Sequence, residues 1–302
     1  MNSDFHSAVD ELFTLRDWLR YAVSRMQKAG VNFGQGFVDA YDEAAYLVLH
    51  TLHLPTDRLE PFLDARLLSA EKSALAKVLE RRIHGHEPAA YITGEAWLGT
   101  LRFRVDPRVL IPRSHIFALL EDELSPWVDD AEAVTRVLDL CTGSACLAIA
   151  CAYVFPNARI DAVDISPGAL EIARLNVADH GLEQRLELLE GDLWAPLETR
   201  RYDVIVSNPP YVTQEAMLAL PEEFRHEPAL ALAAGEDGMD IVRRIVAQAG
   251  EHLQPDGIIV IEVGHNRAQA QAALPEFDLT WLDTPASQGQ VFLLHGHQLQ
   301  GA

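Results

Sequence analysis

Basic residues are scarce in this chain. Its 302 residues carry 24 Lys and Arg against 45 Asp and Glu, a formal net charge of −21. A surface of that sign repels phosphate backbones, so no sequence-specific nucleic acid is expected as a partner and a basic protein is. The same acidity also serves solubility. Long apolar runs are missing too: nothing approaches the roughly 20 residues that cross a bilayer, and no membrane partner is expected. Met1-Asn2-Ser3-Asp4-Phe5 has no basic region leading into an apolar core, so no secretory leader is expected and the expected location is cytoplasmic. Cysteine is limited to Cys141, Cys146 and Cys151. Steps of five residues turn successive side chains by about 140° around a helix, so the three cannot share a metal. They read as small buried residues of a reducing compartment, and no metal site is expected.

What is present is the balance of a globular protein, 49% hydrophobic and 23% charged, over a length that predicts two domains. Leu12, Leu15, Leu19, Val23 and Met26 recur at helical spacing and stop at Gly30. Ala45, Val48, Leu49 and Leu52 make a second stripe, ended by Pro55. Leu75, Val78, Leu79 and Ile83 make a third, with Ser69 as its N-cap. None carries convergent polar chemistry, so packing explains all three. From Tyr91 to Arg113, β-formers mix with Gly94, Gly99 and the Asp106-Pro107 turn signal, which predicts a β-hairpin. The expected organisation is a helical substrate-recognition domain over 1–90, a hairpin linker over 91–125 ending near Ser125-Pro126, and an α/β domain over 126–302.

That last domain alternates strand and helix. Strands are predicted over 134–140, 159–165, 185–192, 202–208 and 257–263, followed by two tail strands, "LTWLD" and "VFLLH", separated by a polar turn. Pro167 opens one intervening helix and another covers about 239–253. The expected fold class is therefore α/β, Rossmann-like: a mostly parallel sheet of seven strands with one antiparallel member near the C-terminus.

Open sheets of this kind bind ligands beyond the carboxyl ends of their strands. The first strand ends in "DLCTGSAC", residues 139–146, with Asp139 at its end and Cys141, Thr142, Gly143, Ser144 and Ala145 in the turn. Small residues let the backbone approach a ligand, and the helix N-terminus offers N–H groups to an anionic end. Asp164 ends strand two, where a carboxylate accepts from ribose hydroxyls, unless it only caps the helix after "DISP". Asp192 ends strand three, placed to accept from an adenine amine while Leu193 covers the ring. The turn is no GxGxxG, since Cys141 and Ala145 hold two glycine places, so a pyrophosphate cradle is disfavoured. A nucleoside without phosphates fits better, and S-adenosyl-L-methionine has the right parts.

Strand four runs into "SNPPYV", residues 207–212. Pro209 and Pro210 remove two backbone donors and fix two φ angles, making a stiff turn that carries Asn208 and Tyr211. Together with "DLCTGSAC" and "DAVDIS", this tetrapeptide resembles the signature of class I S-adenosylmethionine-dependent methyltransferases that modify amino nitrogens. The resemblance implies that the Asn208 oxygen and the Pro209 carbonyl accept the two N–H bonds of a target –NH₂, with the Tyr211 ring beside it. An acidic surface speaks against the DNA and RNA members. The hairpin stretch "EPAAYITGEAWLGTLRFRVDPRVLIPRS" is similar to that of the bacterial protein-(glutamine-N(5)) methyltransferases, and the similarity covers nearly the whole chain. One branch acts on the Gly-Gly-Gln loop of release factors and usually reads "IPRPxTE"; the other acts on large-subunit ribosomal protein L three. "LIPRSHI", "DEAAYLVLHTLHLP" and "TWLDTPASQGQVFLL" are similar to the second, whose substrate is basic. Arg113 is a candidate for orienting substrate or closing the site, or else a hairpin salt bridge. Glu262 either faces the cleft or sits in solvent. Ala145 replaces a glycine usual in the family, and its methyl group is expected to crowd the cofactor or force φ negative; His115 stands where the branch has proline. A catalytically retired binding module is the remaining alternative.

Overall fold

Most residues of the helical stripes are buried, while Leu12, Val23, Ala45, Leu52 and Val78 are only partly so. A computed structural model describes residues 3–284 and 287–300. Helices α1 (Ser3–Glu11), α2 (Leu15–Ala29), α3 (Ala40–Thr51), α4 (Ser69–His84) and α5 (Ala89–Thr93) lie in one compact unit, made of 1–96 and 221–226. Thr14 and Asp17 form a reciprocal capping box at the start of α2, and Gly30 ends it at φ 67°, a left-handed turn that costs glycine nothing. Leu15, Trp18, Leu19, Met26, Leu47, Leu75 and Leu79 share one core. Two expectations shift here. Leu12 lies between α1 and α2, and Ser69 is the first helical residue of α4, not its cap: the Glu71 carboxylate accepts from the Leu68 N–H at 2.7 Å instead. Within this unit the buried Arg82 guanidinium is shared by Glu43 and by Glu223 of the inserted segment.

The second unit comprises 97–220 and 227–302, so the expected linker is divided between the two units. The hairpin is shorter than its sequence suggested: β1 (Glu95–Leu98) and β2 (Leu101–Arg104) turn at Gly99, Tyr91 to Thr93 are helical, and the residues after Arg104 leave the ladder. The Asp106 turn is present, with Val109 N–H donating to its carbonyl at 3.1 Å. After α6 (Ile116–Glu121) come β3 (Arg136–Leu140), α7 (Cys146–Val154), β4 (Arg159–Asp164), α8 (Pro167–Asp179), β5 (Leu186–Glu190), β6 (Tyr202–Ser207), α9 (Gln214–Ala219), α10 (Asp240–His252), β7 (Leu253–Glu262), β8 (Thr280–Thr284) and β9 (Ser287–His295). The polar turn expected between the tail strands falls on residues 285–286, outside the described residues.

Seven strands form one sheet in the order β5-β4-β3-β6-β7-β9-β8, with β9 antiparallel to both neighbours, as the alternation predicted. Each central strand feeds two cores because successive side chains point to opposite faces. Val137, Val204, Val206 and Val260 pack with Ile149 and Ala148 of α7. Leu138, Leu140, Ile205 and Ile259 pack with Val242, Ile245 and Ala249 of α10. The strand order reverses between β3 and β6, and it is there that a crevice opens at the carboxyl ends.

Candidate active site

A cavity of about 270 Å³ lies at that reversal. Its floor is the set of predicted strand ends: Cys141 and Gly143 after β3, Asp164 ending β4, Asp192 and Leu193 after β5, Asn208 and Pro210 after β6. Its walls were not foreseen. Arg108, Val109 and Leu110 follow the hairpin, residues from Pro228 to Ala233 follow the inserted segment, and Ile241 and Arg244 come from α10.

Three floor residues hold positive φ, Cys141 at 62°, Gly143 at 56° and Leu193 at 53°, and for the two that are not glycine this is backbone strain gathered at the cavity floor. Off the α-carbon of Gly143 nothing lies within 4 Å, so a side chain there would project into open space at the cavity lining. Both Asp164 oxygens are anchored, one accepting from Gly143 N–H and the other from Ser166 N–H, each at 2.8 Å. The remaining lone pairs are suited to a pair of hydroxyls. Burial pushes this carboxyl above its ordinary range. The capping role falls to Ser166, whose Oγ caps α8, while Asp164 fixes the turn and lines the cavity. Asp192 also lines it, with one oxygen already paired to Arg244 at 2.7 Å.

The other turn residues sit behind the floor. Asp139 is fully buried; its Oδ2 accepts from Thr142 Oγ1 at 2.5 Å and from Ala148 N–H at 3.0 Å. The protein's own carboxylate thereby takes an N–H of the first turn of α7 that the sequence left for a ligand's anionic end. Its Oδ1 has no partner, and desolvation raises its pKa from 3.8 to about 7. Thr142, Ser144 and Ala145 are buried. The expectation for Ala145 is overturned: it takes φ 64°, ψ 23°, the conformation a glycine would hold, with its methyl packed in the core rather than against the cavity. The turn is held from behind by Asn176, fully buried on α8. Its Nδ2 donates to Ser144 O at 2.9 Å and to Arg104 O at 3.1 Å, while its Oδ1 accepts from Arg104 N–H at 2.7 Å. Asn176 interrupts the apolar face of Leu170, Ala173 and Val177, the one hint of it the sequence offered. Of the three cysteines expected to be buried only Cys151 is, Cys141 and Cys146 being half-buried; desolvation still pushes all three thiols up, so none is poised as a nucleophile. Among the described residues no group of three His, Cys, Asp or Glu is placed to hold a metal.

The Asn-Pro-Pro-Tyr corner leaves β6 where Ser207 Oγ donates to Leu140 O at 2.8 Å, tying the two central strand ends together. Among the described residues no side chain engages the Asn208 carboxamide, which lines the cavity beside Pro210. Pro209 is buried. Tyr211 is held from three sides: Asn266 Nδ2 donates to its carbonyl at 2.6 Å, its hydroxyl donates to Glu262 at 3.3 Å, and Gly264 lies so close that an added Cβ would meet the ring at 2.6 Å. Val212 then bridges to Ala233, joining the corner to the cavity wall. Arg113 is outside the cavity and its salt-bridge partner is not a hairpin residue: Nη1 and Nη2 donate to the buried Glu227 at 2.5 and 2.7 Å, and Nη1 also donates to Ile111 O at 3.3 Å. That fork clasps the stretch after the hairpin to the start of the 228–233 wall. Glu262 is buried, not in solvent.

Comparison with known proteins agrees with this geometry. Residues 124–237 match the family described as the methyltransferase small domain, and 17–94 match the PrmC N-terminal domain. The chain is 56% identical over 289 residues to a ribosomal protein uL3 glutamine methyltransferase of Bordetella pertussis, covering 96% of this chain and 97% of that one. It is 54% identical to the protein of that name from Neisseria gonorrhoeae, over 98% and 99% of the two chains. The Xanthomonas campestris relative of the same name is 45% identical, over 97% and 94%. No helix among the described residues is long and apolar enough to cross a membrane.

Proposed function

The chain belongs to the ribosomal protein uL3 glutamine methyltransferase family, and we propose that it methylates the side-chain amide nitrogen of a glutamine in that protein, with S-adenosylmethionine as donor. The single observation that carries the reading is Asn208: a carboxamide with no partner among the described residues, on a stiff turn, lining a nucleoside-sized cavity.

The residues present suit the donor. The anchored Asp164 carboxylate would hold its ribose hydroxyls, Gly143 leaves room for it, and Leu193 with Ile165 would cover its base. When bound, it supplies a methyl group already activated on a sulfonium. The chain's own task is the acceptor. An amide nitrogen has a delocalised lone pair and attacks poorly, so orientation is the larger lever; well-aligned reactants gain several kcal/mol, up to roughly 7–11, over free encounter. Asn208 Oδ1 and the Pro209 carbonyl would accept the two amide N–H bonds, setting the nitrogen in line with the methyl–sulfur bond. As charge grows on nitrogen, those two acceptors stabilise it, and one of its protons is then lost. Two prolines matter because an acceptor that must reorganise during the step loses that advantage. The helical unit, similar to the PrmC N-terminal domain, is the part we assign to holding the substrate protein, and the charge of −21 suits a basic one.

The test offers purified uL3, a peptide-chain release factor and duplex DNA separately to the enzyme with labelled cofactor. Label in uL3 alone, on a glutamine, is the expected result; label in the release factor with none in uL3 sinks the substrate assignment. Asn208→Ala should lower kcat by about 10²–10³-fold while the cofactor Kd changes little. Near-wild-type turnover in that variant would refute the role given to the carboxamide.

A further inference from the structure

We infer that Glu262 is a positioning residue for the transfer, holding the hydroxyl of Tyr211 through a carboxylate clamped from its other side by Ser114 and His115. The inference rests on the methyl-transfer reading of the Asn208 corner and adds a residue to it.

Glu262 ends β7, between the parallel β6 and the antiparallel β9, and is 2% exposed. In "GIIVIEV" it is the only charge in an apolar run. A carboxylate at such a place costs desolvation energy, which an apolar side chain of that size would not incur. The cost is met by three donors. Ser114 Oγ–H donates to Oε2 at 2.6 Å, His115 N–H donates to the same oxygen at 2.8 Å, and Tyr211 O–H donates to Oε1 at 3.3 Å. The two bonds on Oε2 lock the carboxylate plane; Oε1 is thereby aimed at one target, the tyrosine. His115, where the resemblance leads to a proline, matters for its backbone, since proline has no N–H to give. Glu262 also stands at the head of a short run whose members all grip the same residue: Gly264 against the Tyr211 ring and Asn266 on its carbonyl. Pro209 and Pro210 stiffen the corner, but nothing in them fixes the torsions of Tyr211. A side chain that lies three residues past Asn208 needs that hold if it is to flank the acceptor amide in one place.

Glutamine at 262 is a sharp probe because His115 N–H only donates. The new carbonyl oxygen must face His115 and Ser114, so the new NH₂ faces Tyr211 and turns that hydroxyl from donor into acceptor. Shape is kept and polarity is reversed. Kinetics on uL3 should therefore show kcat lowered about tenfold in Glu262→Gln, with the cofactor Kd and the uL3 KM within about twofold, since displacement by a fraction of an ångström is felt in orientation. Tyr211→Phe should lose a similar factor. The double variant should be no worse than either single one, because both break the same link. Multiplied losses in the double variant, or a wild-type kcat in Tyr211→Phe, overturn the inference, as does a Glu262→Gln effect confined to melting temperature. Should Glu262→Gln fail to fold, Ser114→Ala takes its place in the cycle, with the same non-additivity with Tyr211→Phe required and Ser114→Thr expected to restore kcat. Wild-type turnover on uL3 reports separately on the methyl-transfer reading, so the two failures look different.

Discussion

Asp139→Asn should make the catalytic unit less sensitive to rising pH. Asp139 is fully buried, its Oδ2 carries both of its hydrogen bonds, and its Oδ1 has none. Desolvation raises its pKa from 3.8 to about 7, against the weaker pull of Thr142 and Ala148, and Asp164 pushes the same way. Between those two values the folded protein holds a proton that the unfolded chain has released, so stability falls as pH rises through that window. The whole gap is about three pH units at 1.36 kcal/mol each, about 4 kcal/mol; between pH 5 and pH 8 the share is about 3 kcal/mol. Asparagine can keep its oxygen where Oδ2 stands and has no charge to desolvate.

The assay is urea unfolding of wild type and Asp139→Asn, without cofactor, at pH 5, 6, 7 and 8. The transition to follow is that of the sheet-containing unit, since a chain with two compact units need not unfold in one step. Glu262, whose carboxyl is also raised by burial, tilts both proteins alike and cancels in the difference, whereas the repulsion between Asp139 and Asp164 is part of what the substitution removes. The asparagine variant should gain on wild type by about 3 kcal/mol from pH 5 to pH 8. A difference that is flat across that range would refute the reasoning, and with it the claim that a buried proton sits behind the cofactor turn at neutral pH.

Three further outcomes follow from particular contacts. Asn176→Asp places a carboxylate oxygen against the Arg104 and Ser144 carbonyls that the amide now bonds. An uncompensated buried charge of that kind costs about 3–5 kcal/mol, and a loss under 1 kcal/mol by denaturant unfolding would mean that the turn is not held by Asn176. Ala145→Gly should be nearly neutral. Glycine holds the left-handed conformation without the Cβ clash, which relieves about 1 kcal/mol, while the lost methyl burial of about 0.8 kcal/mol and the freer unfolded chain, about 0.4–1 kcal/mol, oppose it. A change beyond about 2 kcal/mol in a melt would show the balance wrong. Arg113→Met removes the fork on the buried Glu227 and loosens the wall beginning at Pro228, so cofactor binding measured by calorimetry should weaken while Arg113→Met with Glu227→Gln recovers most of the lost stability. Equal stability in the single and double variants would refute the clasp.

What the sequence made legible was what short-range rules govern. The sheet could be read because β-branched runs alternate with capped helices, and the cavity floor because strand ends announce themselves by local turn chemistry: Gly143, "DISP", the two prolines after Asn208. The misplaced boundaries were local as well. Tyr91 to Thr93 are β-formers by composition yet close a helical turn begun at Pro88, and the ladder stops at Arg104 because Asn176 takes over the backbone groups of that residue.

The residues that hold the floor were mostly silent, for a physical reason. Ser114 meets Glu262 across 148 positions, Arg113 meets Glu227 across 114, and Asn176 meets Ser144 across 32. Each is a polar side chain whose meaning depends on a partner that no spacing rule reaches. What betrays them is incongruity: a charge in the apolar run of β7, an amide on the inward face of α8, a glutamate just before Pro228. A buried polar group is tolerated only when it is bonded, so an incongruous residue in a predicted core is a statement that a partner exists elsewhere in the chain. Two of these three links converge on the turn after β3 and the corner after β6, and the third ties down the cavity wall. The cavity floor is built from residues of local character, and the distant pairs decide how still that floor is held.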